Sequence, residues 1–158
     1  MHRWRIEVDG RACLLTWHEP DGDAPEGTPH GSAAICVTAR GNVLLVSSDG
    51  SDWQLPAGRP EAGETWRETL DREVREEACA AVSKARLLGY CQSHCQEGME
   101  ADLVLVRAFW RTEVVLEPWQ PQFEMKFRRE ERGLAAFQAL SPTFECLNRH
   151  VLGLAGVL

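Results

Sequence analysis

The sequence predicts α/β layering, with a mixed β-sheet held between helices. Three observations carry this expectation. β-prone segments bracket one strongly helical stretch that starts at Thr65 and runs to about Cys79. A second helical pattern closes the chain, with Phe144, Leu147, Val151 and Leu154 on one face. The run Asp102 to Thr112 is so continuously β-prone that it reads as a central strand. A chain of 158 residues, 44% apolar and without a visible repeat, suffices for one domain, 1–158, with its own core.

Taken in order, His2 to Val8 and Arg11 to Trp17 flank Asp9-Gly10, a dipeptide suited to the two positive-φ positions of a tight hairpin turn. The chain should therefore open with a β-hairpin. Glu19 to Gly31, rich in Pro, Gly and Asp, reads as a surface loop. Ala33 to Val37 and Val43 to Val46 read as paired core strands around Arg40-Gly41-Asn42. Asp49 to Asp52 is a turn, and Trp53 to Pro56 a short strand leading into a glycine-punctuated loop. Beyond the central helix, Lys84 to Gln92 should be a strand and Ser93 to Ala101 a polar loop. Glu117 to Pro121 interrupts the β pattern, Phe123 to Arg128 alternates again, and Leu134 to Leu140 and Pro142 to Leu154 are a short and a longer helix.

The central helix carries the chemistry. Thr65-Trp66-Arg67-Glu68 has the form of a capping box, which places the helix start at Thr65. At 3.6 residues per turn Trp66, Leu70, Val74 and Ala78 form an apolar stripe. Glu73 and Glu77 stack one turn apart along its edge, with Glu76 beside them. Three carboxylates on the border of a buried face repel one another and resist desolvation, and a bound cation reverses that balance. An all-oxygen donor set suits a hard divalent ion, Mg²⁺ or Mn²⁺. A solvated acidic helix with pairs such as Glu68 to Arg72 is the competing reading. The loop before the helix decides against it.

From Gly58 to Ala80 the chain resembles the Nudix box, GX5EX7REUXEEXGU, where U is a bulky aliphatic residue. Gly58, Glu64, Arg72, Glu73, Val74, Glu76 and Glu77 fall on its fixed positions. Trp53-Gln54-Leu55-Pro56 is similar to the family's approach to the box. Two positions depart, Cys79 in place of glycine and Ala80 in place of an aliphatic residue. Because a non-glycine residue in a left-handed helix end costs roughly 1 kcal/mol or more, the helix is expected to run on towards Ala81.

The resemblance implies the Nudix fold, an α/β/α sandwich. It implies metal-dependent hydrolysis of a nucleoside diphosphate linked to another group, with Glu73, Glu76 and Glu77 holding the metal and a backbone carbonyl near Ala57 or Gly58 adding a further ligand. Glu64 and Arg72 would support the ligands, and Glu61 lies close enough in the loop to reach the metal. A further acid outside the box often completes such a site as ligand or general base. Glu124 is the first candidate, because Glu124-Met125-Lys126-Phe127 is similar to the family's E-x-x-aromatic strand, and Glu97 and Glu100 are the alternatives. The catalytic set expected is thus Glu73, Glu77 and Glu124.

Composition narrows the partners. A net charge of −7 argues against non-specific nucleic-acid binding, which needs a basic surface. No apolar run is long enough to cross a bilayer and no signal-peptide core follows Met1, so the expected location is cytoplasmic. The six cysteines, Cys13, Cys36, Cys79, Cys91, Cys95 and Cys146, are then expected as free, mostly buried thiols. Cys91-x3-Cys95 with His94, and Cys146-x3-His150, could supply four zinc ligands, but the spacing is not that of a zinc ribbon or knuckle. The partner expected is a small nucleotide derivative, and a homodimer is compatible with this.

No downstream motif selects among nucleotide substrates. Trp4, Trp17, Trp110, Trp119 and Phe123 are potential base-stacking surfaces that are equally at home in a core. Arg107, Arg111, Arg128 and Arg129 could meet phosphates or face water. The alternative function is a Nudix-fold sensor that binds an ADP-ribose-like ligand without hydrolysis.

Overall fold

The structure, a computed structural model, describes residues 2–96 and 103–158. Its eight strands are β1 (Arg3–Val8), β2 (Arg11–His18), β3 (Thr28–Val37), β4 (Val43–Ser47), β5 (Ala57–Gly58), β6 (Ala80–Cys95), β7 (Val104–Leu116) and β8 (Phe127–Glu131). The helices are α1 (Trp66–Ala78), α2 (Gly133–Ala139) and α3 (Glu145–Leu154), the last preceded by a 3₁₀ turn at Pro142–Phe144. The strands form one mixed sheet in the order β1-β2-β6-β7-β3-β4-β8, and β5 pairs with β3. Among the described strands only β3 and β7 pair in parallel, and the other strand pairs are antiparallel. β7 lies at the centre, as its apolar run predicts.

Period-two alternation along the inner strands makes two cores, one on each face. Ala33, Ile35, Val37, Val43 and Leu45 pack with Ala136, Leu140, Leu147, Val151 and Leu152 of the C-terminal helical region. Ala34, Cys36, Leu44 and Val46 point the other way, onto Leu70, Val74 and Ala78 of α1. The sheet between helices is thereby accounted for residue by residue. No described helix is long and apolar enough to cross a membrane.

The N-terminal hairpin forms as expected, with Asp9 and Gly10 at φ 50° and 76°. Several boundaries differ, among them β7, which runs on to Leu116, and β8, which begins only at Phe127. β3 begins at Thr28, inside the stretch read as loop, because a bulge between Pro29 and Ser32 lets the Pro/Gly-containing segment pair with β7. β6 extends to Cys95, into the expected polar loop, because β2 and β7 flank it on both sides. The pairing delivered by Trp53 to Pro56 falls mainly on Ala57–Gly58, while Trp53 and Gln54 make isolated bridges.

Helix α1 does not continue to Ala81. It ends at Ala78, and Cys79 takes the left-handed conformation, φ 50° and ψ 53°, that the family's glycine would take. Local cost is offset by tertiary contacts. Arg128 Nη1 donates to the carbonyls of Ala78 (2.8 Å) and Cys79 (3.0 Å), and the Glu117 N–H donates to Cys79 O at 2.9 Å. A cation at the carboxyl end of a helix also complements its dipole.

The cysteine expectation is corrected for one pair. Cys13 and Cys95 form a disulfide across β2 and β6, 82 residues apart in sequence. The antiparallel register sets them directly opposite each other. Cys36, Cys79 and Cys91 are free and buried, and Cys146 is free and exposed. Cys95 is therefore not available to a zinc set with Cys91, His94, Cys146 and His150. His150 instead packs against Trp4 and Trp17.

Candidate active site

The site is assembled where the loop after β5 meets helix α1. Thr65 Oγ1 accepts the Glu68 N–H at 3.1 Å and Glu68 Oε1 accepts the Thr65 N–H at 3.3 Å, so the capping box forms as read. The start of the helix, and with it the azimuth of every carboxylate, is fixed at that point. Gly63, at φ 79°, turns the loop into the cap.

Arg72 is the hub. Its Nε and Nη2 grip Glu64 bidentately at 2.7 and 2.9 Å. Nη1 donates to Glu73 Oε1 at 2.7 Å and to Glu76 Oε2 at 3.2 Å, and Nη2 also meets the Arg59 carbonyl at 2.9 Å. Glu64 Oε1 further accepts from the Glu61 N–H and from Thr69 Oγ1. One planar cation thus locks the loop to the helix and holds Glu73 and Glu76 together. The Glu61 carboxylate is mostly exposed and lies 3.7 Å from Arg72 Nε.

The loop backbone lies hard against the helix side chains. A Cβ on Gly58 would stand 2.1 Å from Glu73 Cδ. A Cβ on Gly31 of β3, at φ 91°, would stand 1.6 Å from the Gly58 carbonyl oxygen. Glu77 is almost fully buried, and its Oε1 accepts the Ala57 N–H at 2.8 Å. Glycines at 31 and 58 are thus what lets β3, the loop and the carboxylate edge come together.

A family model for the NUDIX domain matches residues 28–142. The chain belongs to the Nudix family. Solved structures agree on the fold. The Bacillus subtilis pyrophosphohydrolase BsRppH, as its E68A mutant, is 21% identical with a TM-score of 0.69, covering 99% of this chain and 98% of that one. A MutT protein from Methanosarcina mazei is 17% identical with a TM-score of 0.60, covering 81% of this chain and 96% of its own. The NUDIX domain of Shewanella oneidensis NrtR, complexed with ADP ribose, is 17% identical with a TM-score of 0.62, covering 88% and 92%. No curated protein matches the chain.

Electrostatics divide the Nudix carboxylates into two kinds. Glu64 is held well below the usual range, at about 2, chiefly by the Arg72 hydrogen bonds. Glu77 is pushed up to about 7, first by burial and further by the charges of Glu73 and Glu124; the Ala57 N–H and Arg107 oppose this. Burial also raises Glu73, against the pull of Arg72. Glu77 and Glu73 are therefore the groups that a cation would relieve most, and Glu76 lies one turn from Arg72 on the same edge. Carboxylate oxygens are the donor type that a hard divalent ion takes. Among the described residues, no three His, Cys, Asp or Glu side chains converge on one point; here the Arg72 guanidinium is the positive charge that Glu73 and Glu76 share.

Outside the box, Glu124 is exposed and sits not on a strand but in a turn, Phe123-Glu124, closed by the Gln122–Met125 bridge. Even so its charge is felt at Glu77. Glu97 and Glu100 lie outside the described residues. Of the four arginines named from the sequence, three serve structure: Arg111 donates to Ala155 O, Arg128 caps α1, and Arg129 pairs with Glu131. Arg107 alone lies on the Glu77 side. Its Nε and Nη2 donate to His30 O at 3.3 and 3.2 Å, and burial holds its pKa below the usual arginine value while Glu77 and Glu73 support its charge. A charged residue inside the apolar β7 run was the signal that could have singled it out. A groove of about 490 Å³, lined by Asp71, Arg72, Arg75, Glu76 and Val82, borders the carboxylates on the outer side of α1.

Proposed function

We propose that this Nudix protein is a divalent-metal-dependent hydrolase, using Mg²⁺ or Mn²⁺, that cleaves the diphosphate linkage in a nucleoside diphosphate joined to another group. The observation that carries this reading is the gathering of Glu73, Glu76 and Glu77 on one edge of α1 with the Gly58 loop pressed against them. Held by Glu73, Glu76 and Glu77, the metal would supply charge neutralisation of the diphosphate and acidification of the attacking water.

The chain's own groups do the rest. Arg72 fixes the rotamers of Glu73 and Glu76, the task of a supporting residue in a metal site. The Ala57 N–H orients the Glu77 carboxylate. Arg107 places a positive charge behind Glu77, where it attracts a polyanion towards the carboxylate edge. Glu124, on its exposed turn, takes the proton of the attacking water at a carboxylate oxygen.

Phosphate release from nucleoside triphosphates, dinucleoside polyphosphates, ADP-ribose, NADH and nucleotide sugars, each with Mg²⁺ and Mn²⁺, tests the proposal. Turnover of at least one, abolished by chelation, is the expected result. The structural likeness to an ADP ribose-bound NrtR domain favours a second reading, a ligand-binding sensor. Silence across the panel together with tight binding of one compound would decide for it.

A further inference from the structure

We propose that two copies of this chain associate through the free edge of β1, antiparallel and in the register that sets Ile6 opposite Ile6, independently of the hydrolase reading. β1 stands at one end of the sheet and, among the described residues, pairs only with β2. In an antiparallel pair, residues whose N–H and C=O groups face the partner strand alternate with residues whose groups face away. His2 O accepts the Trp17 N–H at 2.8 Å, and the unbroken register from Arg3 opposite Thr16 to Val8 opposite Arg11 carries that parity along the strand. Trp4, Ile6 and Val8 therefore bond to β2, and the backbone groups of Arg3, Arg5 and Glu7 point outwards. β1 has neither a proline nor a bulge to blunt this edge. Such an open row of donors and acceptors is what an added strand takes up.

The side chains decide which strand is added. Arg5 and Glu7 are exposed on one face of β1 and lie opposite Leu14 and Ala12 of β2. Among the described residues, neither makes a side-chain hydrogen bond or ion pair. The outward bonds form only where outward residues oppose each other, a condition met by registers centred on Arg5, Ile6 or Glu7. Centring on Arg5 or on Glu7 places like charges directly opposite at the symmetry axis, which is unfavourable. Centring on Ile6 places Arg5 opposite the second copy's Glu7, and two-fold symmetry repeats the pair. A foreign strand would need an acid and a base at that spacing; a second copy of β1 already has them. The other face agrees. There Trp4 opposes Val8 and Ile6 opposes Ile6, and Trp4 and Ile6 pack against the core with part of their surface still open.

The edge is also presented ready-made. Cys13, opposite Ile6 on β2, is bonded to Cys95 of β6, and Trp17 of the same strand is buried in the core. A strand already held extended loses little freedom on pairing. The product is a closed two-fold dimer in which the sheets of both copies run on as one.

Sedimentation velocity of the full chain over a dilution series tests this. The wild type should show a monomer–dimer equilibrium. Arg5→Glu and Glu7→Arg each set like charges opposite one another, and each should raise the dimer Kd roughly tenfold or more while circular dichroism stays native. Mixed in equal amounts, the two variants should associate as the wild type does, because each supplies the charge that the other has lost. The double variant R5E/E7R should dimerise by itself. Arg5→Pro removes an outward N–H and none that β2 uses, so it should be monomeric with the hairpin intact. A wild-type chain that stays monomeric up to its solubility limit would overturn the proposal. Undiminished dimerisation of both single-charge variants, or of Arg5→Pro, would overturn it by placing the interface elsewhere, and failure of the mixture to associate would overturn the Ile6-centred register.

Discussion

The buried carboxylate of Glu77 accepts the backbone N–H of Ala57 at 2.8 Å, joining helix and loop across 20 residues. That bond uses one carboxylate oxygen and leaves the second for another partner. Glu77→Gln keeps shape and the Ala57 contact but removes the charge. It should lower kcat by more than the ~10–100-fold typical of losing a supporting residue, while circular dichroism and Tm stay native. Near-normal turnover with saturating Mg²⁺ would refute the assignment.

The same residue sets a pH dependence. Its folded pKa, about 7, lies above the ordinary 4.5, so the folded protein binds this proton more tightly than the unfolded chain. Glu77 therefore subtracts stability progressively as pH rises from 4.5 through about 7, and a metal must displace the proton below that point. Mn²⁺ affinity measured by calorimetry should rise from pH 6 to pH 8. Glu77→Gln should bind more weakly and with a flatter slope; equal slopes would remove Glu77 from the coupling.

Gly58 and Gly31 should fail differently. A methyl at Gly58 meets the side-chain carboxylate of Glu73, whereas one at Gly31 meets the backbone oxygen of Gly58 at a positive φ. Gly58→Ala is expected to lose roughly 10–100-fold in activity by shifting Glu73, with Tm little changed. Gly31→Ala should destabilise by at least ~1–3 kcal/mol. Denaturant titration and turnover on both variants separate the two, and equal stability would contradict this geometry.

Cys79 holds a left-handed helix end with a side chain. Cys79→Ala and Cys79→Gly both lose the thiol and its contact with the Gln120 carbonyl, and they differ by a Cβ in that conformation. The glycine variant should be the more stable of the two by about 1 kcal/mol. The reverse order would show that Cys79 is not left-handed in solution.

The Cys13–Cys95 bond closes a long loop, and reducing it should cost about 2–4 kcal/mol. Thiol titration after mild reduction should rise from four free cysteines by two, with a lower Tm. An unchanged Tm in the reduced protein would show that strand pairing alone holds β2 to β6.

What the sequence determined by itself is what depends on near neighbours. The capping box, the Glu73 and Glu77 stacking, the Asp9-Gly10 turn and the two-faced alternation of β3 and β4 follow from the chain's own periodicities and backbone preferences, so they are legible without a partner. The Nudix spacing belongs with them, because loop and helix are contiguous. Tertiary structure alone decided the rest. Cys79 turns left-handed where Arg128 and Glu117, far along the chain, bind the carbonyls of the helix end. Cys13 finds Cys95 through the β2–β6 register, the Pro/Gly segment at Thr28 becomes strand because β7 offers an edge, and Phe123-Glu124 is a turn because Met125 is drawn into the core. Each needs a surface supplied by distant sequence, and long-range contacts can override local propensity by the kilocalorie or so that separates one backbone state from another.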